Sequence, residues 1–248
     1  MADFDNRTIR STIPAEAALY DAGLRAYMLR VYNYMLAGLA LTGGAAWLVA
    51  STPLGSLFVH YVPQANAYGL TMLGLIALIA PFALVLLLSF RIHKMSFSGA
   101  QSTFWIYAGL MGVSIAAIVM NFTGESVAKT FFITAASFGA LSLYGYTTKK
   151  DLTGFGAFLF MGLIGLMIAM VVNMFTHSSM MAWIISVAGV FIFAGLTAYD
   201  TQKIKSLYFA VGNDGEVAGK SAIMGALTLY LDFVNMFLFL LQFFGNRR

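Results

Sequence analysis

Ala222–Phe244 reads AIMGALTLYLDFVNMFLFLLQFF, an apolar run with Asp232 at its middle, ten residues before it and twelve after. An α-helix needs roughly 20 such residues to cross about 30 Å of bilayer hydrocarbon. An ionised Asp at the centre of a spanning helix costs roughly 2.5–3.5 kcal/mol on insertion scales, so Asp232 marks a functional site by default. Gly225, Thr228, Asp232, Asn235, Phe239 and Gln242 recur at steps of three or four, which places them on one face. All but Phe239 are small or polar, so this stripe should face other helices or water while the Leu, Phe and Met remainder meets lipid or packed core.

The rest of the chain has the same character. Its 248 residues are 60% hydrophobic and only 10% charged, with mean hydropathy +0.82. Such a chain cannot solvate its own surface and is an integral membrane protein. Seven apolar stretches of spanning length lie near Tyr32–Ala50, Ala67–Phe90, Ser102–Met120, Ala128–Tyr146, Gly154–Phe175, Met180–Tyr199 and Ala222–Phe244. Their periodicity is helical, and spanning backbone must satisfy its own polar groups, so the expected fold is all-α and polytopic. The organisation expected is an N-terminal tail over residues 1–30, with an interfacial helix near Ala15–Tyr27, followed by a membrane domain over 31–248.

Arg7, Arg10, Arg25, Arg30, Arg91, Lys94, Lys149, Lys150, Lys203, Lys205 and Lys220 fall on one side of this layout, leaving Lys129, Arg247 and Arg248 on the other. The positive-inside rule then puts the N-terminus in the cytoplasm. Arg247 and Arg248 fit that rule poorly, and a re-entrant last segment is the alternative that would remove them from the outer side. The formal charge of +4 resides in these anchoring residues; no long basic run points to nucleic acid. The chain has no cysteine, hence no disulfide, thiol nucleophile or thiolate metal site. Small residues at spacing four (Ala108, Gly112 and Ala116; Gly165 and Ala169; Ser221 and Gly225) suit close helix approach, and Pro81 should bend the second span and free a carbonyl.

A second carboxylate, Asp200, lies where the sixth span leaves the hydrocarbon, with Ser186, Gly189, Phe193 and Thr197 at compatible spacings. A third polar face runs through Thr130, Thr134, Ser137, Leu141, Tyr144 and Thr148. Asp200 and Asp232 stand on consecutive spans and can be neighbours. At 1.5 Å per residue, however, Asp200 is about 7.5 Å from Lys205 and Asp232 about 18 Å from Lys220, an offset of roughly 10 Å to absorb. If they meet, repulsion and lost hydration favour a shared proton, which makes a pH sensor. A hard cation such as Ca²⁺ wants roughly six to eight oxygens, so Asp200 and Asp232 alone form a weak metal site, better suited to passage than storage. The alternative is an Asp200 paired with Lys203 and an Asp232 that is a neutral packing acid. Arg91 is a candidate counter-charge reaching back toward the pair.

Enzymatic constellations fit poorly. Tyr199-Asp200 matches half of an intramembrane aspartyl protease signature, but Leu229-Tyr-Leu-Asp232 lacks the Gly-x-Gly-Asp of the other half. Asp214–Ser221 lacks the first Gly of a phosphate loop. His60, His93 and His177 are isolated at span ends and form no ligand set. Neither an enzyme nor a tightly bound cofactor is expected.

Several motifs together resemble the Bax inhibitor-1 family, also called transmembrane Bax inhibitor motif proteins. They are Val31-Tyr-Asn-Tyr-Met35, Gly38-Leu-Ala-Leu-Thr-Gly43, Tyr144-Gly-Tyr-Thr-Thr-Lys-Lys-Asp151, Gly162-Leu-Ile-Gly165, Tyr199-Asp-Thr-Gln202 and Leu229-Tyr-Leu-Asp-Phe-Val-Asn235. The resemblance covers roughly Asp21 to Gly245. It implies a seven-helix bundle with the last helix central, and a pH-sensitive Ca²⁺ leak of the bacterial inner membrane governed by two aspartates that match Asp200 and Asp232. Where some bacterial relatives carry an Arg that helps latch the pore, this chain has Gln242. Other relatives are linked to a membrane-bound ATP-dependent protease, so a modulator that binds such a partner is the alternative function.

Overall fold

In the computed structural model, backbone is described for residues 5–65, 67–211 and 215–247, and side chains for residues 22–64, 68–210 and 215–247. Seven long helices follow one another: α1 (Asp5–Ser51), α2 (Met72–Arg91), α3 (Phe97–Met120), α4 (Gly124–Thr147), α5 (Thr153–Thr176), α6 (Ser179–Val211) and α7 (Gly215–Phe244). Each carries a stretch long and apolar enough to cross a membrane, so the chain is an all-α polytopic membrane protein. α1 runs unbroken through residue 30, where the sequence reading divides tail from membrane domain. The side chains of the interfacial helix expected at Ala15–Tyr27 lie outside the described residues up to residue 21.

Hydroxyls set several helix starts. Thr71 accepts a hydrogen bond from Gly74 N at 3.1 Å, Ser96 from Gly99 N at 3.2 Å and Thr123 from Ser126 N at 3.4 Å, each satisfying a backbone donor that the first helical turn leaves free. The Thr71 cap corrects the expected start of the second span. Instead of beginning at Ala67, the chain first pairs β1 (Val59–Val62) with β2 (Ala67–Leu70) as an antiparallel hairpin. Asn121 holds the hairpin to the end of α3, its Oδ1 accepting from Tyr68 N at 2.8 Å. Val, Tyr and Leu feed a hydropathy average whether they stand in a strand or a helix, so the average hid the hairpin.

α7 is the core of the bundle: 72% of its spanning stretch is buried, against 17% for α5 and 22% for α2. It packs against α6, α1, α4 and α3, while α2 leans chiefly on α3 and α5 chiefly on α6. The central last helix implied by the family likeness is therefore present, with four helices as its main neighbours and two flanking them. α7 also crosses completely. Lys220 Nζ donates to Met95 O in the α2–α3 connection, and at the other end Thr123 N donates to Asn246 O beside the Phe122–Arg247 bridge. α3 lies between those two anchor points, so the re-entrant alternative does not hold.

Small residues do their expected work where helices cross. Ala108, Gly112 and Ala116 are buried, and a Cβ built on Gly112 would strike the Thr42 carbonyl and Ala45 of α1. Gly165 differs: nothing lies within 4 Å of its Cβ position. Pro81, inside α2, leaves the carbonyl of Ala77 four residues earlier without its helical donor. Ser114 Oγ of α3 donates to that carbonyl at 2.6 Å, the neighbour-helix repair that low-dielectric surroundings demand.

Candidate functional site

α6 does not stop at Tyr199. It continues three turns further to Val211, so Asp200 stands within a 33-residue helix. Ile204 of α6 packs against Gly225 of α7, with 3.1 Å from its Cγ2 to the Cβ position there. From that level Asp200 lies about 6 Å along α6 and Asp232 about 10.5 Å along α7 in the same direction. The remaining gap of about 4.5 Å closes because side chains tilt toward the N-terminus of their own helix. In antiparallel α6 and α7, the two carboxylates consequently lean toward each other.

Asp200 and Asp232 bring their carboxyl groups close enough across the α6–α7 seam to act on each other directly. Asp200 is 8% exposed and Asp232 4%. Two carboxyl groups can hydrogen-bond to each other only when one carries a proton. Asp232 Oδ2 is buried without a hydrogen-bond partner. Lys203, an exposed residue one turn along α6, is the cation whose field reaches Asp200.

A chain of hydroxyls begins at Thr201, the residue after Asp200. Tyr32 and Ser142 are 2.6 Å apart through their oxygens, Ser142 and Thr201 2.9 Å, and Thr201 Oγ1 donates to Thr197 O at 2.8 Å. The chain ties α1, α4 and α6 together beside Asp200. A parallel link on the other side of α7 joins Thr42 to Tyr230 at 2.7 Å, with Thr42 also within 2.8 Å of the Ala108 carbonyl.

The remaining sequence-derived candidates are dispersed. Thr228 donates to Met224 O at 3.1 Å and Asn235 to Leu231 O at 2.8 Å, so both satisfy their side chains on their own helix. Gln242 stands exposed near the end of α7, accepting from Ser186 at 3.3 Å. Tyr144 is 48% exposed and Ser137 half-buried, because the inner face of α4 follows Ser126, Thr130, Thr134, Phe138, Ser142 and Gly145. The two paths diverge after Thr134, where steps of three and four are both helical and the polar Ser137 is a more visible choice than Phe138. Ser142 and Thr201 are the site residues that this choice misses; their signals are the four-residue spacing from Thr134 through Phe138 and adjacency to Asp200. Arg91 is exposed at the end of α2, which leans on α3 and not on the α6–α7 seam. No group of three or more His, Cys, Asp or Glu side chains placed to hold a metal ion occurs among the described residues.

A central helix, four close neighbours and a buried carboxyl pair on its seam with α6 define a class: a seven-helix membrane protein built around its last helix. The chain belongs to the family described as inhibitor of apoptosis-promoting Bax1, whose model matches residues 24–248. Relatives cover nearly its whole length. A Caulobacter vibrioides protein is 44% identical over 250 residues, spanning 100% of both chains, and a Rickettsia prowazekii protein is 47% identical over 237 residues, 96% of both. The Escherichia coli inner membrane protein YbhL is 46% identical over 230 residues, 92% of this chain and 94% of that one. The chain is an integral membrane protein with inner-membrane relatives.

Proposed function

We propose that the protein is a proton-regulated cation leak of a bacterial inner membrane, with Ca²⁺ as the permeant ion and Asp200 and Asp232 as sensor and ion-path residues. The observation that carries the reading is the contact between these two buried carboxyl groups on neighbouring helices. With a proton between them the pair bonds α6 to the central helix. Without it, two like charges face each other in a low-dielectric setting, and repulsion favours helix separation, water entry or a cation. The carboxyl oxygens of the pair, the buried Asp232 Oδ2 among them, are the ones such a cation would meet. Two carboxylates fall well short of the roughly six to eight oxygens of a storage site, so binding is weak and transient. The basic residues clustered on the N-terminal side of the layout support a cytoplasmic N-terminus.

Ca²⁺ flux into proteoliposomes, measured between pH 6 and 8, tests the reading. Flux should rise with pH in the native protein and lose that dependence in Asp200→Asn and Asp232→Asn. Absent flux, or identical profiles in all three, sinks it. A second reading, a modulator of a membrane-bound protease, draws support from α5, the most exposed helix, where Gly165 leaves open space for another helix. Gly165→Ile should then abolish co-isolation of the protease; undiminished co-isolation removes α5 as the docking face.

A further inference from the structure

α1 and α4 touch through the Tyr32–Ser142 bond but otherwise stand apart over α7. An apolar cleft runs along them in two segments, about 560 Å³ between α1 and α4 toward the Arg25 end and about 510 Å³ toward the Trp47 end, where Ile115 and Val119 of α3 also wall it, and Phe233 of α7 lines both. The first segment extends from Arg25 to Leu36 on α1 and from Ala135 to Tyr146 on α4. Eleven residues of helix rise about 16 Å, and half of a hydrocarbon core of about 30 Å is about 15 Å, so this segment has the depth of one leaflet.

Glycines keep the walls open. A Cβ on Gly139 in the first segment, or on Gly43 or Gly124 in the second, would meet no atom within 4 Å. Protein interiors are packed to crystal density, and a void forfeits the dispersion contacts of its lining. In a bilayer, the material at hand to fill an apolar slot is an acyl chain. The mouth is basic: Arg25 is exposed, with no ion pair among the described residues. Lys205 Nζ stands 5.0 Å from the centre of the Tyr146 ring, which lines the same end. Cations beside an interhelical pocket suit the phosphate of an anionic headgroup.

We propose that the α1–α4 cleft is a binding site for an anionic phospholipid, one acyl chain lying along Phe138, Gly139 and Leu143 over Phe233 and the headgroup phosphate meeting Arg25. The Tyr32–Ser142 bond bridges the two walls, and Ser142 passes on to Thr201, the residue after Asp200. The assignment stands independently of ion passage.

Photo-crosslinking in reconstituted vesicles decides it, using phosphatidylglycerol or phosphatidylcholine with a diazirine on the acyl chain and mapping the adducts by mass spectrometry. Adducts at Leu36 and Leu143 of the cleft should exceed those on the equally exposed Ile168 and Met161 of α5. Phosphatidylglycerol should label the cleft about five-fold more than phosphatidylcholine, the worth of one cation near an anionic headgroup. Gly139→Leu fills the slot from an open position and should remove the enrichment. Arg25→Gln leaves the slot intact, and should remove only the preference for phosphatidylglycerol. Labelling that follows exposure alone, enrichment undiminished in Gly139→Leu, equal labelling by both lipids in the native protein, or a polypeptide crosslinked in the cleft in place of lipid would each overturn the assignment.

Discussion

Gly145 and Gly139 lie six residues apart in α4, yet replacing each by Ala should move stability in opposite directions. Within a helix Ala is favoured over Gly by about 1 kcal/mol. At Gly139 nothing opposes that gain, since no atom lies within 4 Å of the added methyl. At Gly145 the methyl is driven into the backbone of Ala198 in α6: it overlaps the carbonyl oxygen and approaches the carbonyl carbon to 2.9 Å and Cα to 3.0 Å. Backbone cannot rotate away as a flexible side chain can, so α4 and α6 must part. Overpacking of this kind costs about 1–3 kcal/mol, and a clash with backbone belongs at the upper end, so after a propensity gain of about 1 kcal/mol Gly145→Ala is left up to about 2 kcal/mol less stable. For a chain of this size 1 kcal/mol corresponds to about 2–4 °C in Tm. Thermal unfolding in detergent, followed by circular dichroism, should show Gly139→Ala a few degrees above the native protein and Gly145→Ala a few degrees below. Shifts of the same sign would refute the packing argument. Because Ala198 precedes Asp200 by two residues, the proposed leak predicts that Gly145→Ala also flattens the pH dependence of Ca²⁺ flux into proteoliposomes.

Ser142→Ala removes the middle of the Tyr32–Ser142–Thr201 chain and strands the Tyr32 hydroxyl, at about 1–3 kcal/mol, while Thr201 keeps its bond to Thr197 O. Tyr32→Phe should cost less, and a double-mutant cycle in chemical denaturation should return a coupling of at least about 0.5 kcal/mol; strict additivity argues against the chain. At the start of α5, the hydroxyl of Thr153, at 2.6 Å, and its backbone N–H, at 2.9 Å, donate to Asp151 and hold its carboxyl below the ordinary carboxylate range. A depressed folded value stabilises at pH above the unfolded value and is lost as pH falls through the folded one. The Tm difference between native protein and Asp151→Ala should accordingly be full at neutral pH and close in strong acid; a constant difference contradicts the assigned bonds. Removing residues 245–248 deletes the bonds from Asn246 to Thr123 and Ser126, and should speed hydrogen exchange at the start of α4, with unchanged protection there counting against them.

Hydropathy and charge made seven membrane helices legible, because desolvation depends on composition over a span and not on what a helix touches. Asp232 and Asp200 were legible for the same reason: a carboxylate in an apolar run is conspicuous whatever its partner. Their meeting was another matter. Residue counting left roughly 10 Å between their depths, and only the continuation of α6 to Val211, its seating of Ile204 on Gly225 and the opposed tilt of side chains in antiparallel helices removed it. The supporting hydroxyls were half visible. Thr130 and Thr134 stood on the buried face, whereas Ser142 lay beyond a Phe that broke the polar pattern, and Tyr144 turned outward. The β1–β2 hairpin, the repair of Ala77 O by Ser114 and the open α1–α4 cleft all depend on which helix lies beside which. The sequence by itself determined what each segment must be shielded from; the tertiary structure alone decided what shields it, because partners at long separation along the chain are chosen by packing and crossing geometry that no local pattern encodes.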